Sequence, residues 1–564
     1  ATLQFQFSFL LLFFCVSCQN DDEMMILMMI LGDSTAAIAA AVNAPYPPMM
    51  WHSWGLFTSE DLSNEANMQM IALALIESGM AKAGYDTINV VCNGWAGRNA
   101  TTGVLIENRT LWPSGMAGFS ARLHAMDPPL KLGCYTAPVV KNCMCGTLPT
   151  GGCEEGSLGH EQVDMDFFAK IGCDHVMVDA AYKTNQLDTK LYKSRFQAIG
   201  DAIAKSPNPE MMYGVWTAGD AKPWKWGADV GGTYWRTAND IYDGWASVIR
   251  QWDVTYSIPS IDRFTSPGHY SFLDQMIVGD VPRRKGSAYG PGLNPDETIA
   301  HMSMWVMAAS PLMTCTDVRN MTDAVKAVLT NPELLEIHKD PLAKMAYRID
   351  VGAGANNALH AANQCADDWP QCQEGPGDPN YPGHTCTTCV DEWSVWEKPL
   401  SDGSYAIMVF NRGEVPLSAV PINAQDIGDS MSMNYEVRDV WSHQDLPPFA
   451  NWMHVAVPAH GVRLLRVRTQ TTSCPTGFTV HQRGYWGNPT PAAATGGDTV
   501  NKTSALCGMK CTKTAGCKGF ELYESQACYI FLNELQKPFV EDSDCFTCEV
   551  LGVHNAARRN PNVR

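Results

Sequence analysis

The sequence is poor in charged residues, and in basic residues above all. Charged residues make up 18% of the 564 positions, and 40 Lys and Arg stand against 59 Asp and Glu, so the formal net charge is −19. Nucleic acids and anionic membranes are bound through basic surfaces, so this charge argues against both as partners. Neutral sugars and cations remain compatible with such a surface.

The sequence also lacks an apolar run long enough to cross a bilayer. The most apolar segment, residues 5–16, has 12 residues, whereas a membrane-spanning helix needs about 20. Such a run followed by small and polar residues is typical of a signal-peptide core. Residues 1–19 are therefore predicted to be a signal peptide, and the protein to be secreted, extracellular or in the lumen of the secretory pathway, with no membrane span.

Several motifs of metal, nucleotide and serine-nucleophile chemistry are missing as well. Residues 44–345 contain no HExxH, no P-loop and no GxSxG sequence, and the Gly-rich stretch 352–354 lacks the strand and helix that a nucleotide site needs. The histidines are scattered, so each is interpreted as structural. No metal or cofactor is predicted.

Cysteine, in contrast, is abundant. Eleven of the 20 cysteines follow residue 360, which indicates disulfides made in an oxidising compartment. In a Cys-rich insertion at 362–391, the cysteines either pair or, through the CTTC sequence, hold zinc; the secretory context favours pairing. Four Asn-x-Ser/Thr sequons are candidate glycosylation sites. They are Asn99, Asn108, Asn320 and Asn501.

The chain changes texture along its length. Over 44–345, short runs that are apolar on both faces, such as 175–179 (HVMVD) and 211–216 (MMYGVW), alternate with helix-like segments. Repeated β–α units of this kind favour a closed parallel barrel or a doubly wound sheet. Residues 346–470 have short strands and little helix, which is typical of an antiparallel β-sandwich. Residues 471–550 hold seven cysteines and are predicted to be a disulfide scaffold, followed by a tail at 551–564.

Ordered motifs in the first two regions resemble the alpha-galactosidase (melibiase) family of glycoside hydrolases. The barrel region carries 47–54 (PPMMWHSW), 131–135 (KLGCY), 235–241 (WRTANDI), 304–312 (MWVMAASPL) and 339–342 (KDPL), and the sandwich region carries 396–400 (WEKPL) and 457–461 (VPAHG). The resemblance covers about 48–468. It implies a TIM (β/α)8 barrel followed by a β-sandwich, and a carbohydrate (glycoside or glycan) as substrate.

The cysteine spacing after residue 500 is similar to that of apple/PAN domains. The matching cysteines are Cys507, Cys511, Cys517 and Cys528. All four are expected to form disulfides, because so small a module lacks core enough to fold without them. The resemblance implies a protein or glycan partner for this module, and a passive spacer is an equally good interpretation.

The resemblance also assigns site residues. Retaining glycosidases use one nucleophilic carboxylate and one protonated carboxyl group, and Asp179 and Asp240 stand where the family carries its nucleophile and its acid/base. Both follow apolar strands, whose C-terminal ends form the active face of such barrels. The predicted substrate-binding residues are Trp51, Arg236, Trp216, Asp274 and Asn93.

Other positions depart from the family pattern. Where the family reads galactose hydroxyls through two aspartates, a lysine and a glutamate, this chain has Val91, Cys92, Met177 and Val215. Losing several buried hydrogen-bonding partners should abolish ordinary galactose recognition. Two hypotheses remain: a retaining glycosidase with altered sugar specificity, or a catalytically silent relative with a binding or structural role.

Overall fold

The computed structural model describes most of the barrel and sandwich regions. The described residues are 44–54, 56, 63–92, 94–142, 154–180, 189–279, 292–352, 393–428 and 434–469, together with the backbone of six strands between 478 and 550. Within these residues, no helix is both long enough and apolar enough to cross a membrane.

Eight short parallel strands form the first domain. They are β1 (Met49–His52), β2 (Thr87–Asn89), β3 (Lys131–Thr136), β4 (Cys173–Asp179), β5 (Met212–Trp216), β6 (Tyr234–Arg236), β7 (Tyr270–Phe272) and β8 (Leu312–Thr314). Strands β1 to β7 pair in chain order and β8 lies beside β1. A parallel bridge from Met276, just after β7, to Thr314 brings the two edges of the curled sheet together. The predicted (β/α)8 fold is confirmed.

Helices follow most of these strands. They are α1 (Glu65–Glu77), α2 (Met80–Ala83), α3 (Gly115–His124), α4 (Glu161–Lys170), α5 (Thr189–Lys205), α6 (Trp245–Tyr256), α7 (Pro295–Met307), α8 (Asp323–Leu329) and α9 (Pro332–His338). Short 3-10 turns (Pro223–Lys225, Ile261–Phe264) and strand pairs (Trp95–Arg98 with Leu105–Glu107, Lys141–Asn142 with Glu154–Glu155) lie between them. The start of α7 is specified locally, because Asn294 and Glu297 form a capping box around Pro295.

The strand register sorts the side chains into an outer and an inner set. Outward residues such as Val178, which is paired with Val215, belong to the core that packs against the helices. Inward residues form layers across the barrel, as is usual for this fold. One layer needs glycine, because a Cβ on Gly133 would lie 1.9 Å from Asn89 Oδ1. That space lets the Asn89 side chain reach His175, whose Nδ1 lies 2.5 Å from Asn89 Oδ1.

The second domain is the predicted antiparallel sandwich. Its strands are β9 (Tyr347–Gly352), β10 (Trp393–Pro399), β11 (Tyr405–Asn411), β12 (Leu417–Asn423), β13 (Tyr435–Asp439), β14 (Gln444–Phe449), β15 (Trp452–Val457) and β16 (Val462–Thr469), with a 3-10 turn at Ala424–Asp426. Six strands form a sheet in the order β9-β10-β11-β16-β13-β14, and β12 pairs with β15. Contacts with the barrel include Trp396 against Trp252 and a two-bond ion pair between Arg412 and Asp253.

The C-terminal region is described only by its backbone. Strands Phe478–Arg483, Cys545–Val550, Gly519–Tyr523 and Ala527–Phe531 form an antiparallel sheet in that order, and Tyr485–Trp486 pairs with Phe539–Val540. Several predictions lie outside the described residues and remain predictions. They are the signal peptide (1–19), the insertion (362–391), the tail (551–564), Asn501 and the disulfides of Cys507, Cys511, Cys517 and Cys528.

Candidate active site

Asp179 is the last residue of β4 and lies at the C-terminal end of the barrel. It pairs in register with Trp216, the last residue of β5, so both side chains are on the inner face of the sheet. The Tyr135 hydroxyl donates a hydrogen bond of 2.8 Å to Asp179 Oδ2. Asp179 remains partly exposed. Its carboxylate is therefore oriented by a neighbouring strand and accessible at the face where barrel enzymes carry their chemistry.

Asp240 follows β6 and is held by a buried arginine. Arg236 ends β6 with only 2% of its side chain exposed, whereas 55% of the Asp240 side chain is exposed. The two Nη atoms of Arg236 donate to Asp240 Oδ1 at 3.3 and 3.2 Å, and Nη2 and Nε donate to the carbonyl of Ala238. The loop that carries Asp240 is thus tied to the end of its own strand.

A second carboxylate, that of Asp274, forms a buried ion pair with Arg236. Asp274 Oδ2 lies 3.0 Å from Arg236 Nη2, and the backbone N–H groups of Ile241 and Gln275 each donate to Asp274 at 2.7 Å. Burial raises the pKa of Asp274 to about 7, and the charge of Asp240 adds to the increase, while Arg236 and the two N–H donors oppose it. Because Ile241 directly follows Asp240, Asp274 holds the Asp240 loop in place.

The two tryptophans predicted to bind substrate lie in different environments. Trp216 stacks on His52 with ring centroids 5.5 Å apart, and the Arg236 guanidinium lies 5.0 Å above its ring. Trp51, in contrast, is fully buried in the outer core, and its indole N–H donates to the carbonyl of Thr316. The prediction for Trp51 is therefore wrong, because β1 turns that side chain towards the helices. Trp54, just beyond the end of β1 and only partly buried, is the better candidate.

The comparisons with known proteins match both domains of this fold. The sequence model for alpha-galactosidase A matches residues 46–340, more than half of the chain, and the model for the alpha-galactosidase C-terminal beta sandwich matches residues 390–467. The chain belongs to the alpha-galactosidase A (melibiase) family. The family predicted from the motifs is confirmed, whereas the matches do not extend to the apple/PAN-like region.

Curated relatives of this melibiase-family chain are alpha-galactosidases from distant organisms. Alpha-galactosidase A of Cellvibrio japonicus is 29% identical over 450 residues, covering 75% of this chain and 92% of the relative. The alpha-galactosidase of Cyamopsis tetragonoloba is 25% identical over 419 residues, covering 74% and 85%. The crystal structure of alpha-galactosidase I from Mortierella vinacea matches with a TM-score of 0.61 at 23% identity, covering 76% of this chain and 98% of that one, which shows the shared fold.

The structure locates the residues that depart from the melibiase pattern. Met177 faces inward, level with Tyr135 and Gly214, and is 1% exposed. Val91 is buried. Cys92 is disulfide-bonded, so it has no S–H group that could donate a hydrogen bond. Val215 does not belong to this wall, because it pairs with Val178 and faces the outer core. Trp216, a predicted substrate-binding residue, takes the inward position next to it, level with Asp179.

Aromatic side chains complete the inner wall of the melibiase barrel. Phe272 pairs in register with Arg236, and its ring centroid lies 5.4 Å from that of Trp216 and 5.2 Å from that of Tyr234. Around Asp179, the wall therefore consists of Met177, Trp216 and Phe272. The remaining predicted site residue, Asn93, lies outside the described residues.

A chain of neutral polar groups supports this wall from below. Trp216 donates its indole N–H to the Tyr234 hydroxyl at 3.4 Å, and that hydroxyl lies 3.0 Å from His175 Nε2. Burial lowers the pKa of His175 to about 3, and burial also lowers that of His52 to about 3, so both rings are neutral. The interpretation of the histidines as structural fits these two. Within the described residues, no group of three His, Cys, Asp or Glu side chains is placed to hold a metal ion.

Proposed function

We propose that this protein is a secreted retaining glycoside hydrolase whose sugar specificity differs from that of the alpha-galactosidases. The proposal rests on two features at the same end of the barrel. The carboxylates of Asp179 and Asp240 are both accessible, and the inner wall around Asp179 is apolar. Family membership supports glycoside hydrolysis as the chemistry. The replaced residues support the change of specificity.

In this mechanism Asp179 is the nucleophile. Its carboxylate attacks the anomeric carbon while Asp240, as the acid, protonates the leaving glycosidic oxygen, which yields a covalent glycosyl–enzyme ester. Asp240 then takes a proton from water, which attacks the same carbon and releases the sugar with its original anomeric configuration. The hydrogen bond from Tyr135 to Asp179 Oδ2 restricts rotation of the nucleophile.

Arg236 and Asp274 are positioning groups in this proposal. The guanidinium holds Asp240 Oδ1, and Asp274 holds both the guanidinium and the backbone N–H of Ile241. Productive geometry demands that the acid stay within a fraction of an ångström of its place. The buried Arg236–Asp274 pair provides that rigidity for an otherwise exposed carboxyl group.

The apolar wall favours a less hydroxylated sugar than galactose. Met177 and Phe272 offer no hydrogen bond, and a buried sugar hydroxyl without a partner costs about 1–3 kcal/mol. A deoxy or methylated sugar places a methyl or methylene group there and avoids that cost. We therefore expect weak or no hydrolysis of an aryl alpha-galactoside.

Secretion and the role of the C-terminal module are part of the same proposal. Asn99 and Asn320 are exposed and Asn108 is partly buried, which is compatible with glycan attachment at the first two. The apple/PAN-like module is proposed to bind a protein or glycan partner outside the barrel.

A second candidate, a catalytically silent binding or structural glycoprotein, is favoured by a different observation. Trp216 is 6% exposed and Met177 is 1% exposed, so the inner wall presents little surface to a ligand. This burial leaves little room for a sugar ring beside Asp179.

Turnover of a panel of aryl glycosides tests the proposal against this alternative. The panel contains alpha-galactoside, alpha-fucoside, alpha-N-acetylgalactosaminide and beta-arabinoside, assayed with the wild type, Asp179→Asn and Asp174→Asn. Asp174 is the matched control, because it lies at the opposite end of β4 and bonds the backbone N–H of Leu132. The proposal expects at least one substrate to be cleaved faster than the alpha-galactoside, with activity lost in Asp179→Asn and kept in Asp174→Asn. No turnover of any substrate would favour the silent relative.

A further inference from the structure

A groove separate from the strand ends lies where the barrel meets the sandwich. It has a volume of about 310 Å³. The start of α7 contributes Asp296 and Ile299, and the sandwich contributes Leu417, Trp441, Pro458 and Arg463. Both domains therefore build this groove, and none of the residues assigned to the candidate active site lines it.

The lining of the groove combines apolar surface with two opposite charges. Trp441 donates its indole N–H to Ser303 Oγ at 2.9 Å, so its polar edge is anchored while other parts of the ring line the groove. Asp296 is exposed and makes no hydrogen bond or ion pair with another described residue. Arg463 bonds Asp439 through Nη1 at 2.9 Å, but its buried Nε has no hydrogen-bond partner among the described groups.

These groups fit a neutral oligosaccharide. Ligand sites of about 300 Å³ or more are usually apolar clefts with a few polar groups that orient the ligand. A sugar ring has an apolar face for Trp441 and hydroxyl groups, which donate to a carboxylate such as Asp296 and accept from a guanidinium such as Arg463. The two lining charges cancel, and the chain's net charge of −19 disfavours an anionic ligand.

The position of the groove relates it to the active face. Helix α7 follows β7, so its first turn lies at the C-terminal end of the barrel strands, the end at which Asp179 and Asp240 lie. We propose that the groove is an accessory binding site for a neutral oligosaccharide, occupied by a distal part of the glycan whose end enters the active site. The link to that glycan rests on the proposed function, whereas binding in the groove does not require catalysis.

Calorimetric titration of the full chain tests this proposal. The probes are three neutral tetrasaccharides of different linkage, stachyose, mannotetraose and cellotetraose, and every protein carries Asp179→Asn so that no probe is consumed. At least one probe is expected to bind with a Kd of about 10 mM or lower. Trp441→Ala should weaken that binding at least tenfold, and Asp296→Asn, an exposed first-turn substitution that leaves the fold intact, about threefold or more.

Matched controls separate the groove from other surfaces. Trp452→Ala removes an exposed sandwich tryptophan outside the groove, and Asp323→Asn changes an exposed first-turn aspartate of α8; both should leave Kd within about twofold. The proposal is overturned if no probe binds, or if binding survives both Trp441→Ala and Asp296→Asn, since the ligand then sits elsewhere. Failure of the aryl glycosides to turn over would refute the catalytic proposal and leave this measurement unaffected.

Discussion

Replacing Arg236 by Met should destabilise the barrel strongly, and more at pH 8 than at pH 5. The substitution removes the ion pair to Asp274 and the bonds to Ala238 and Asp240 from a side chain that is 2% exposed. Removing one partner of a buried pair leaves the other charge uncompensated, which costs about 3–5 kcal/mol. The bond to exposed Asp240 adds little, since such pairs contribute about 0–1 kcal/mol.

The pH dependence follows from Asp274. With its pKa near 7 in the folded protein, Asp274 is largely protonated at pH 5 and largely ionised at pH 8. Arg236 lowers that pKa, so the Met variant should keep Asp274 protonated to a higher pH. At pH 5 both proteins hold a neutral carboxyl group, so the loss should be smaller there than at pH 8 by up to about 1.4 kcal/mol, since pH 8 lies about one unit above the wild-type pKa of Asp274.

Urea unfolding followed by tryptophan fluorescence at both pH values measures the effect. The double variant Arg236→Met/Asp274→Asn provides the control, because it removes both charges. It should recover at least about 2 kcal/mol relative to the sum of the single substitutions, as coupled buried groups do. A loss below about 1 kcal/mol at pH 8, or strictly additive single effects, would refute the buried ion pair.

Three further predictions address the interior, its titration and the C-terminal module. Gly133→Ala places a Cβ 1.9 Å from Asn89 Oδ1 and should cost about 2–4 kcal/mol in thermal unfolding, whereas Gly94→Ala, which has open space at its Cβ, should cost less than about 1 kcal/mol. The raised pKa of Asp274 makes wild-type stability fall as pH rises from about 4 through about 7, by on the order of 4 kcal/mol at most; Asp274→Asn should flatten that slope, and an unchanged slope would contradict the assignment. Non-reducing peptide mapping should find four cysteines of the apple/PAN-like module bonded, and free thiols at several of them would contradict the disulfide scaffold. The four are Cys507, Cys511, Cys517 and Cys528.

The sequence predicted that a barrel precedes a sandwich, and it predicted a carboxylate at or shortly after the end of two barrel strands, where the structure has Asp179 and Asp240. Strands such as β4 are apolar on both faces, and this pattern is visible without coordinates because both the barrel interior and the helices exclude water. Asp179 and Asp240 could be located because they adjoin such strands within recognisable motifs.

The direction of individual side chains could not be predicted in the same way. A shift of one residue turns a strand side chain to the opposite face. Trp51 therefore faces the outer core, and Trp54 is the better candidate for the site. Val215 likewise faces outward, while its neighbour Trp216, also a predicted site residue, faces inward. The sequence pattern does not show which face of these strands a side chain is on, because both faces are buried and apolar residues do not alternate with polar ones. The hydrogen bond from the Ile241 backbone N–H to Asp274 joins residues that are 33 positions apart in the sequence. It forms only because the barrel closes, so the sequence alone could not predict it.

The most direct test of the central claim is to identify the residue that carries the covalent intermediate. The protein is incubated with activated fluorosugars that match the best aryl glycoside substrate and is then digested, and the labelled peptide is sequenced by mass spectrometry. We expect a glycosyl ester on Asp179, no label in Asp179→Asn, and hydrolysis with retained anomeric configuration. A label on another residue, or hydrolysis with inverted configuration, would contradict it.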